Sequence, residues 1–346
     1  MPGNTYLNPT GRINEVKGEF LAMAEPVEVL MLGVTPKKFP KNKGDNISYR
    51  RVIPAGGATT NANTINRWSV SAPSYLVAEG VTPSAKALTY QDINVAIQQY
   101  AVLYSYTDKV ADLHEDDIPA DQKRQVAMEM GLVREMIRYG EMKGSGATTV
   151  QYCGGTTPVT VDEAISYNQL SLMSRTLQAN GAPMKTQILA PGPAYDTSAI
   201  EAGYIVFVHT DAEYDIRRLE DFVPVAKYAN RKPISPHELG SVGRFRFITS
   251  KELAPTLGGG ADVGSTGLES VGSSKIDIYP FIVVAEDAVF DIGLNLNFDV
   301  THIPAKTKTK EDPFGQRGYV GASFWSAAKV VNAGHMGVIW AGVSDL

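Results

Sequence analysis

Residues 89–107 read TYQDINVAIQQYAVLYSYT. Tyr90, Asp92, Asn94 and Ala96 oppose Ile93, Val95 and Ile97, and Tyr100, Val102, Tyr104 and Tyr106 carry the alternation on to Thr107. A period of two is the signature of a strand, and this run is far longer than the roughly 5–6 residues usual for one. Upstream, residues 46–53 alternate in the same way, with Ile47 and Tyr49 on one face and Ser48 and Arg50 on the other. The two runs are expected to form the rails of a long ribbon spanning 45–107.

Between the rails lies 54–87, dominated by Ala, Gly, Thr, Asn and Ser. Compact domains seldom hold unpatterned connections longer than about 12–15 residues. This one also carries Trp68, Val70, Tyr75, Leu76 and Val77, which need somewhere to be buried. A neighbouring subunit is one solution. These five residues, with Arg50 and Arg51 at the ribbon, are the candidate inter-subunit contacts, and Gly56, Gly57, Gly258 and Gly259 are candidate hinges.

Working outward, residues 1–44 read as an arm. Pro2, Gly3, Asn4, Pro9, Thr10 and Gly11 disfavour regular structure. Short helices are expected at 17–23 and 26–32, and a basic loop at 35–45. Beyond the ribbon the period changes to that of a helix over 120–143, where Val126, Met130, Val133 and Ile137 form one apolar stripe. A second helix is expected over 161–179, opened by a Thr160/Glu163 capping box. Strand signals follow at 204–209, 243–249, 276–284, 295–302, 318–324 and 335–340, with a short helix from Thr210 to Leu219. The Gly/Ser-rich stretch 258–274 reads as a mobile loop. Segregated strands and helices indicate an α+β class.

Composition narrows the function. Of 346 residues, 43% are hydrophobic and 20% charged, the balance of a globular chain rather than a disordered one. The net charge of -5 argues against a protein that grips nucleic acid by overall positive charge. One cysteine, Cys153, excludes an internal disulfide and fits a reducing compartment. No apolar run approaches the ~20 residues of a membrane-spanning helix, so soluble, intracellular folding is expected.

Chemistry is hard to find. The five histidines, at 114, 209, 237, 302 and 335, show no metal-ligand spacing, and His237-Glu238-Leu239-Gly240 lacks the second histidine of a zinc-protease motif. Gly144-Ser145-Gly146-Ala147-Thr148-Thr149 has no lysine where a phosphate loop needs one. Glu115-Asp116-Asp117 precedes a helix, where carboxylates complement the dipole. No catalytic residue, metal or cofactor is expected, and the chain reads as a structural subunit rather than an enzyme. The alternatives kept are a tail or surface-layer subunit and, more distantly, an enzyme with a pocket invisible in sequence.

Several segments resemble the major capsid protein family of tailed bacteriophages typified by the podophage N-four, within the Hong-Kong-97-like superfamily. They begin with Lys41-Asn42-Lys43-Gly44-Asp45 leading into Tyr49-Arg50-Arg51 and continue through Ala78-Glu79-Gly80-Val81-Thr82-Pro83. His209-Thr210-Asp211 with Arg217, Arg218 and Leu219, and Arg244-Phe245-Arg246-Phe247, extend the match. Asp312-Pro313-Phe314-Gly315-Gln316-Arg317-Gly318-Tyr319-Val320-Gly321 completes it. The likeness covers most of the chain after about residue 35; the first 30 residues and 258–274 depart from the pattern.

The resemblance implies an N-terminal arm (1–44), an extended loop (45–107), a peripheral domain (108–194) with spine helix 120–143, an axial domain (195–279), and a return to the peripheral domain (280–346). It further implies a homo-oligomer of pentamers and hexamers that closes an icosahedral virion shell around double-stranded DNA. Such shells are assembled in the host cytoplasm. Scaffolding, portal and decoration proteins are its implied partners, with packaged DNA touched non-specifically on the inner face and no membrane contact.

Overall fold

The computed structural model describes residues 27–42, 44–55, 70–114, 117–144, 149–185, 202–228, 233–272, 274–294, 300–308, 310 and 312–346. Trp68, Gly56, Gly57 and the helix expected at 17–23 lie outside them. In chain order the elements are β1 (Val34–Lys38), β2 (Asn46–Ile53), β3 (Thr89–Ala96), β4 (Gln98–Thr107), α1 (Asp108–Leu113), α2 (Ile118–Gly144) and β5 (Thr149–Tyr152). Next come α3 (Tyr167–Ala179), β6 (Tyr204–Val208), α4 (Glu213–Arg217), β7 (Phe222–Pro224), β8 (Glu238–Val242) and β9 (Phe245–Thr249). The chain closes with β10 (Tyr279–Val284), β11 (Val289–Gly293), β12 (Val300–Ile303), β13 (Arg317–Val330) and β14 (Met336–Ala341).

The 27-residue helix α2 is the backbone of the molecule; at 1.5 Å per residue it spans about 40 Å. Its apolar stripe decides where it lies. Val126 and Met130 bury themselves against Tyr106, Val320, Ala322 and Phe324, on one face of the five-stranded sheet β1-β11-β13-β12 in which β4 also pairs with β13. Tyr139 and Met142, three turns on, enter a second cluster with Leu30, Val34, Phe207, Ile282 and Val338. That cluster joins the first sheet to a seven-stranded one, β5-β14-β10-β6-β9-β8-β7.

The central strands of the second sheet, β6 and β10, are buried at every residue, which is why they read as continuous apolar runs instead of alternating ones. Helix α3 covers one face through Leu170, Met173 and Leu177. Its close approach needs a glycine: a Cβ at Gly337 would stand 2.2 Å from Met173 Sδ.

Several expectations are corrected. The long strand is two strands, because Ile97 donates its N–H to Asp45 O at 3.0 Å and buries its side chain with Phe39, Val95 and Ile292. The chain thereby turns from β2 as partner to β13. The 35–45 loop contains a strand, since β1 pairs in parallel with β11. The 26–32 helix is only a 3-10 turn at Leu30–Leu32. Val29 and Leu30 are core rather than arm: Glu135 Oε1 accepts their N–H groups at 2.7 Å each, beside the buried Arg138–Asp291 pair at 2.6 Å.

The second helix begins at Tyr167 instead of 161, because backbone groups of 161–163 are bonded elsewhere. Val161 O accepts from Ala261, Asp162 N donates to Cys153 O, and Glu163 O accepts from Gly342. The expected boundaries at 194/195 and 279/280 do not coincide with the sheets. The seven-stranded sheet takes β5 from before the first boundary, and β10 and β14 reach to 341 beyond the second.

The Gly/Ser-rich stretch is pinned rather than mobile. Asp277, buried, accepts from Gly258 N at 2.5 Å and Val271 N at 2.8 Å. Gly260 and Ile276 exchange further backbone bonds with this layer, and Leu268 is buried. A hinge at Gly258 or Gly259 would have to break these bonds.

Candidate inter-subunit surface

The ribbon is built as a two-stranded sheet in unbroken antiparallel register, Asn46↔Ala96 through Ile53↔Thr89. Its two faces differ. Ile47, Tyr49, Ile93 and Val95 face the body, where Tyr49 meets Phe290 edge-on at 5.3 Å and Val95 is buried. Ser48, Arg50, Val52, Tyr90, Asp92 and Asn94 face outward.

Neighbours in sequence, Arg50 and Arg51 therefore do different work. Arg50 lies on the outward face, pairing across the strands with Asp92 at 2.7 Å and standing over the Tyr90 ring. Its hydrogen bond holds the Asp92 carboxyl below the usual range. Arg51 turns inward: Nη2 donates to Gln91 at 2.6 Å, and Nη1 donates to the Asn332 side chain and to Val331 O. Burial lowers the pKa of its guanidinium. Arg51 is thus an intramolecular tie between ribbon and body, while Arg50 stays on the outward face.

Past the ribbon's free end the character changes. Every residue from 70 to 90 is exposed. Among them Val70 is 56% exposed, Tyr75 48%, Leu76 84% and Val77 55%. Val81, Leu88 and Tyr90, which the sequence reading passed over, are also more than half exposed; Leu88 sits in an Ala-Leu pair just before the alternating run, the signal that was available. Local structure is limited to a 3-10 turn at Ala72–Tyr75, a turn with Gly80 at φ +75, and Lys86 lying 3.7 Å over the Tyr75 ring. Scattered exposed apolar side chains are ordinary, but a contiguous group marks a contact surface.

A second exposed apolar feature escaped sequence reading. Phe314, 79% exposed, stands on a turn fixed by Gly315 N to Asp312 O at 3.2 Å and Arg317 N to Asp312 Oδ2 at 3.0 Å. The 312–321 motif was the pointer to it.

Three histidines are engaged in holding the fold. His302 Nε2 meets Tyr106 Oη at 2.7 Å, His209 bridges Lys251 O and Asp211, and His335 Nδ1 meets Glu286 O. Burial pushes the Cys153 thiol up to about 12, which suppresses the reactive thiolate. Among the described residues no group of three or more His, Cys, Asp or Glu is placed to hold a metal ion, and no helix is long and apolar enough to cross a membrane.

No family model matches the chain. It is 21% identical over 252 residues to the major capsid protein of Pseudomonas phage KPP21, a match spanning 66% of this chain and 62% of that protein. Among solved structures, the capsid of Ralstonia phage GP4 superposes with a TM-score of 0.66 at 12% identity, over 99% of both chains. The capsid of cyanophage P-SCSP1u gives 0.61 at 11% identity over 96% of this chain and 94% of that one. A chain of Mycobacterium phage Che8 gives 0.59 at 13%, over 95% and 97%. The fold is thus the mixed α/β fold of these phage capsid structures.

Proposed function

We propose that this chain is the major capsid protein of a tailed bacteriophage, a coat subunit that self-assembles into the icosahedral shell around the double-stranded DNA genome. The observation that carries the reading is the exposed segment 70–90 at the end of a ribbon tied to the body by Arg51. A soluble monomer gains nothing from presenting Val70, Tyr75, Leu76, Val77, Val81 and Leu88 to water. A subunit that lays them on its neighbour buries them at about 25 cal/mol per Å². The full-length likeness to phage capsid chains supports the same reading.

Each subunit of a closed shell touches several neighbours, so weak contacts suffice when the lattice multiplies them. Pentamers and hexamers of one chain are the expected building blocks. The arm, the extended loop, the peripheral lobe around α2 and the axial lobe around the seven-stranded sheet take the parts that the N-four-type resemblance assigns them. Scaffolding, portal and decoration proteins and non-specifically held DNA are the corresponding partners, with assembly in the host cytoplasm. The net charge of -5 suits a wall that confines DNA without gripping it.

Negative-stain microscopy of the chain expressed alone or with its scaffolding partner tests this. Closed isometric particles are expected. Tubes or flat sheets would favour a tail or surface-layer subunit, and a small fixed oligomer at all concentrations would defeat the shell reading.

A further inference from the structure

Several arginines of this molecule face a carboxylate of their own chain. Arg50 pairs with Asp92, Arg138 with Asp291 and Arg217 with Glu213. In the Arg244-Phe245-Arg246-Phe247 run, Arg246 Nε reaches the buried Glu238 at 2.8 Å. Arg244, two residues earlier, forms no ion pair with a carboxylate among the described residues, and neither does Arg175 of α3. These two line one cavity of about 410 Å³.

The elements explain why they meet there. Leu170, Met173 and Leu177 bury one face of α3 against the seven-stranded sheet. Tyr167, Ser171, Ser174, Arg175 and Gln178 recur at three- and four-residue steps, so they share the neighbouring face, which is one wall of the cavity. The other wall is the two-residue turn Gly243-Arg244 between β8 and β9, closed by the Val242↔Phe245 pair. So tight a hairpin turn needs positive φ, and Gly243 has φ +53. Arg244 is thereby carried at the tip, while Leu170 and Phe245 of the core close the floor.

The cavity offers donors and no carboxylate. Gln178 Nε2 donates to Ser174 Oγ at 2.7 Å, which leaves the Ser174 hydroxyl hydrogen for another acceptor. Ser171 adds a second hydroxyl, and each guanidinium adds a planar fork of N–H groups. In a chain of net charge -5, two guanidiniums lining one cavity without a counter-charge make a local positive site. The group that satisfies such a set is a compact anion with several acceptor oxygens. With donors on facing walls, a tetrahedral phosphate fits better than a planar carboxylate, because its oxygens point to both sides.

We propose that the cavity between α3 and the β8–β9 turn binds a phosphate group, held by Arg175 on one wall and Arg244 on the other, with Ser171 and Ser174 as further donors. A free phosphate ion and a phosphate of a nucleic-acid backbone share this chemistry. The inference needs only a single subunit and does not depend on the shell reading.

Thermal melting of the full chain tests it, with inorganic phosphate titrated into a chloride buffer at constant ionic strength. A ligand that binds the folded state raises the melting temperature as its concentration grows, and that rise is expected here. The variant Arg175→Gln/Arg244→Gln should melt like the unsubstituted chain without phosphate and bind phosphate at least about tenfold more weakly. Equal rises in both proteins would reflect only the general stabilising action of phosphate and would overturn the inference, as would no rise at all. Ser174→Asp keeps both guanidiniums but puts a carboxylate into the cavity. It should abolish the rise, and a retained rise would contradict the proposal. A short DNA duplex then separates the two sources. Competition with phosphate that the arginine variant loses assigns the site to a nucleic-acid backbone; phosphate binding that the duplex leaves untouched assigns it to the free ion.

Discussion

Two stretches of similar composition, 70–88 and 258–272, have opposite fates. Both are rich in small and polar residues with a few apolar ones set among them. In 258–272 the backbone is held by Asp277 and by bonds to Val161, Ile276 and Val343, and Leu268 is buried under them. In 70–88 the backbone bonds to other described residues reach only three residues along the chain, and the apolar side chains stay in water. Composition alone does not make a loop mobile. What matters is whether a buried acceptor lies within reach, and the exposed stretch meets none among the described residues.

The largest effect that sharpens this contrast is expected from deleting 60–85. Particles should be lost entirely while the urea unfolding midpoint of the subunit stays where it was; particles formed by the deletion variant would break the comparison. The mirror experiment is Asp277→Ala, which removes two hydrogen bonds to a buried carboxylate and leaves the partly buried N–H groups of Gly258 and Val271 without that acceptor. It should cost about 3 kcal/mol of folding stability, read from urea denaturation. A cost below about 1 kcal/mol would mean that the 258–272 layer is not held as described.

A smaller effect is expected from Arg51→Ala, roughly 1 kcal/mol, appearing as faster hydrogen exchange in β2 and β3. Arg50→Ala should leave that exchange unchanged, because its Asp92 pair is exposed and screened. The smallest effect is a null. Native Cys153 should resist a thiol reagent at pH 8, as a thiol pushed up to about 12 stays protonated there, and should react fully once the chain is unfolded in urea.

Much of the fold was legible because its periodicities are local. The Val126/Met130 stripe announces α2, and the alternations of 46–53 and 89–96 announce the ribbon. What failed was governed by distant partners. Val34–Lys38 looks like a basic loop until β11 supplies its ladder. Ile97 breaks the long run because Asp45 O takes its N–H. The capping box at Thr160/Glu163 lost to the backbone bonds of 161–163, and Thr160 caps a 3-10 turn with Thr157 instead.

The candidate surface divides in the same way. Val70, Tyr75, Leu76 and Val77 could be read as homeless because no pattern around them offers burial. Arg51 could not be told from Arg50, since only the register with Gln91 and the position of Asn332 turns it inward.

The most direct test compares hydrogen exchange of residues 70–90 in the isolated subunit and in the assembled particle. The account predicts fast exchange in the subunit and strong protection on assembly, with 258–272 slow in both. Exchange in 70–90 that stays fast in intact particles would contradict it.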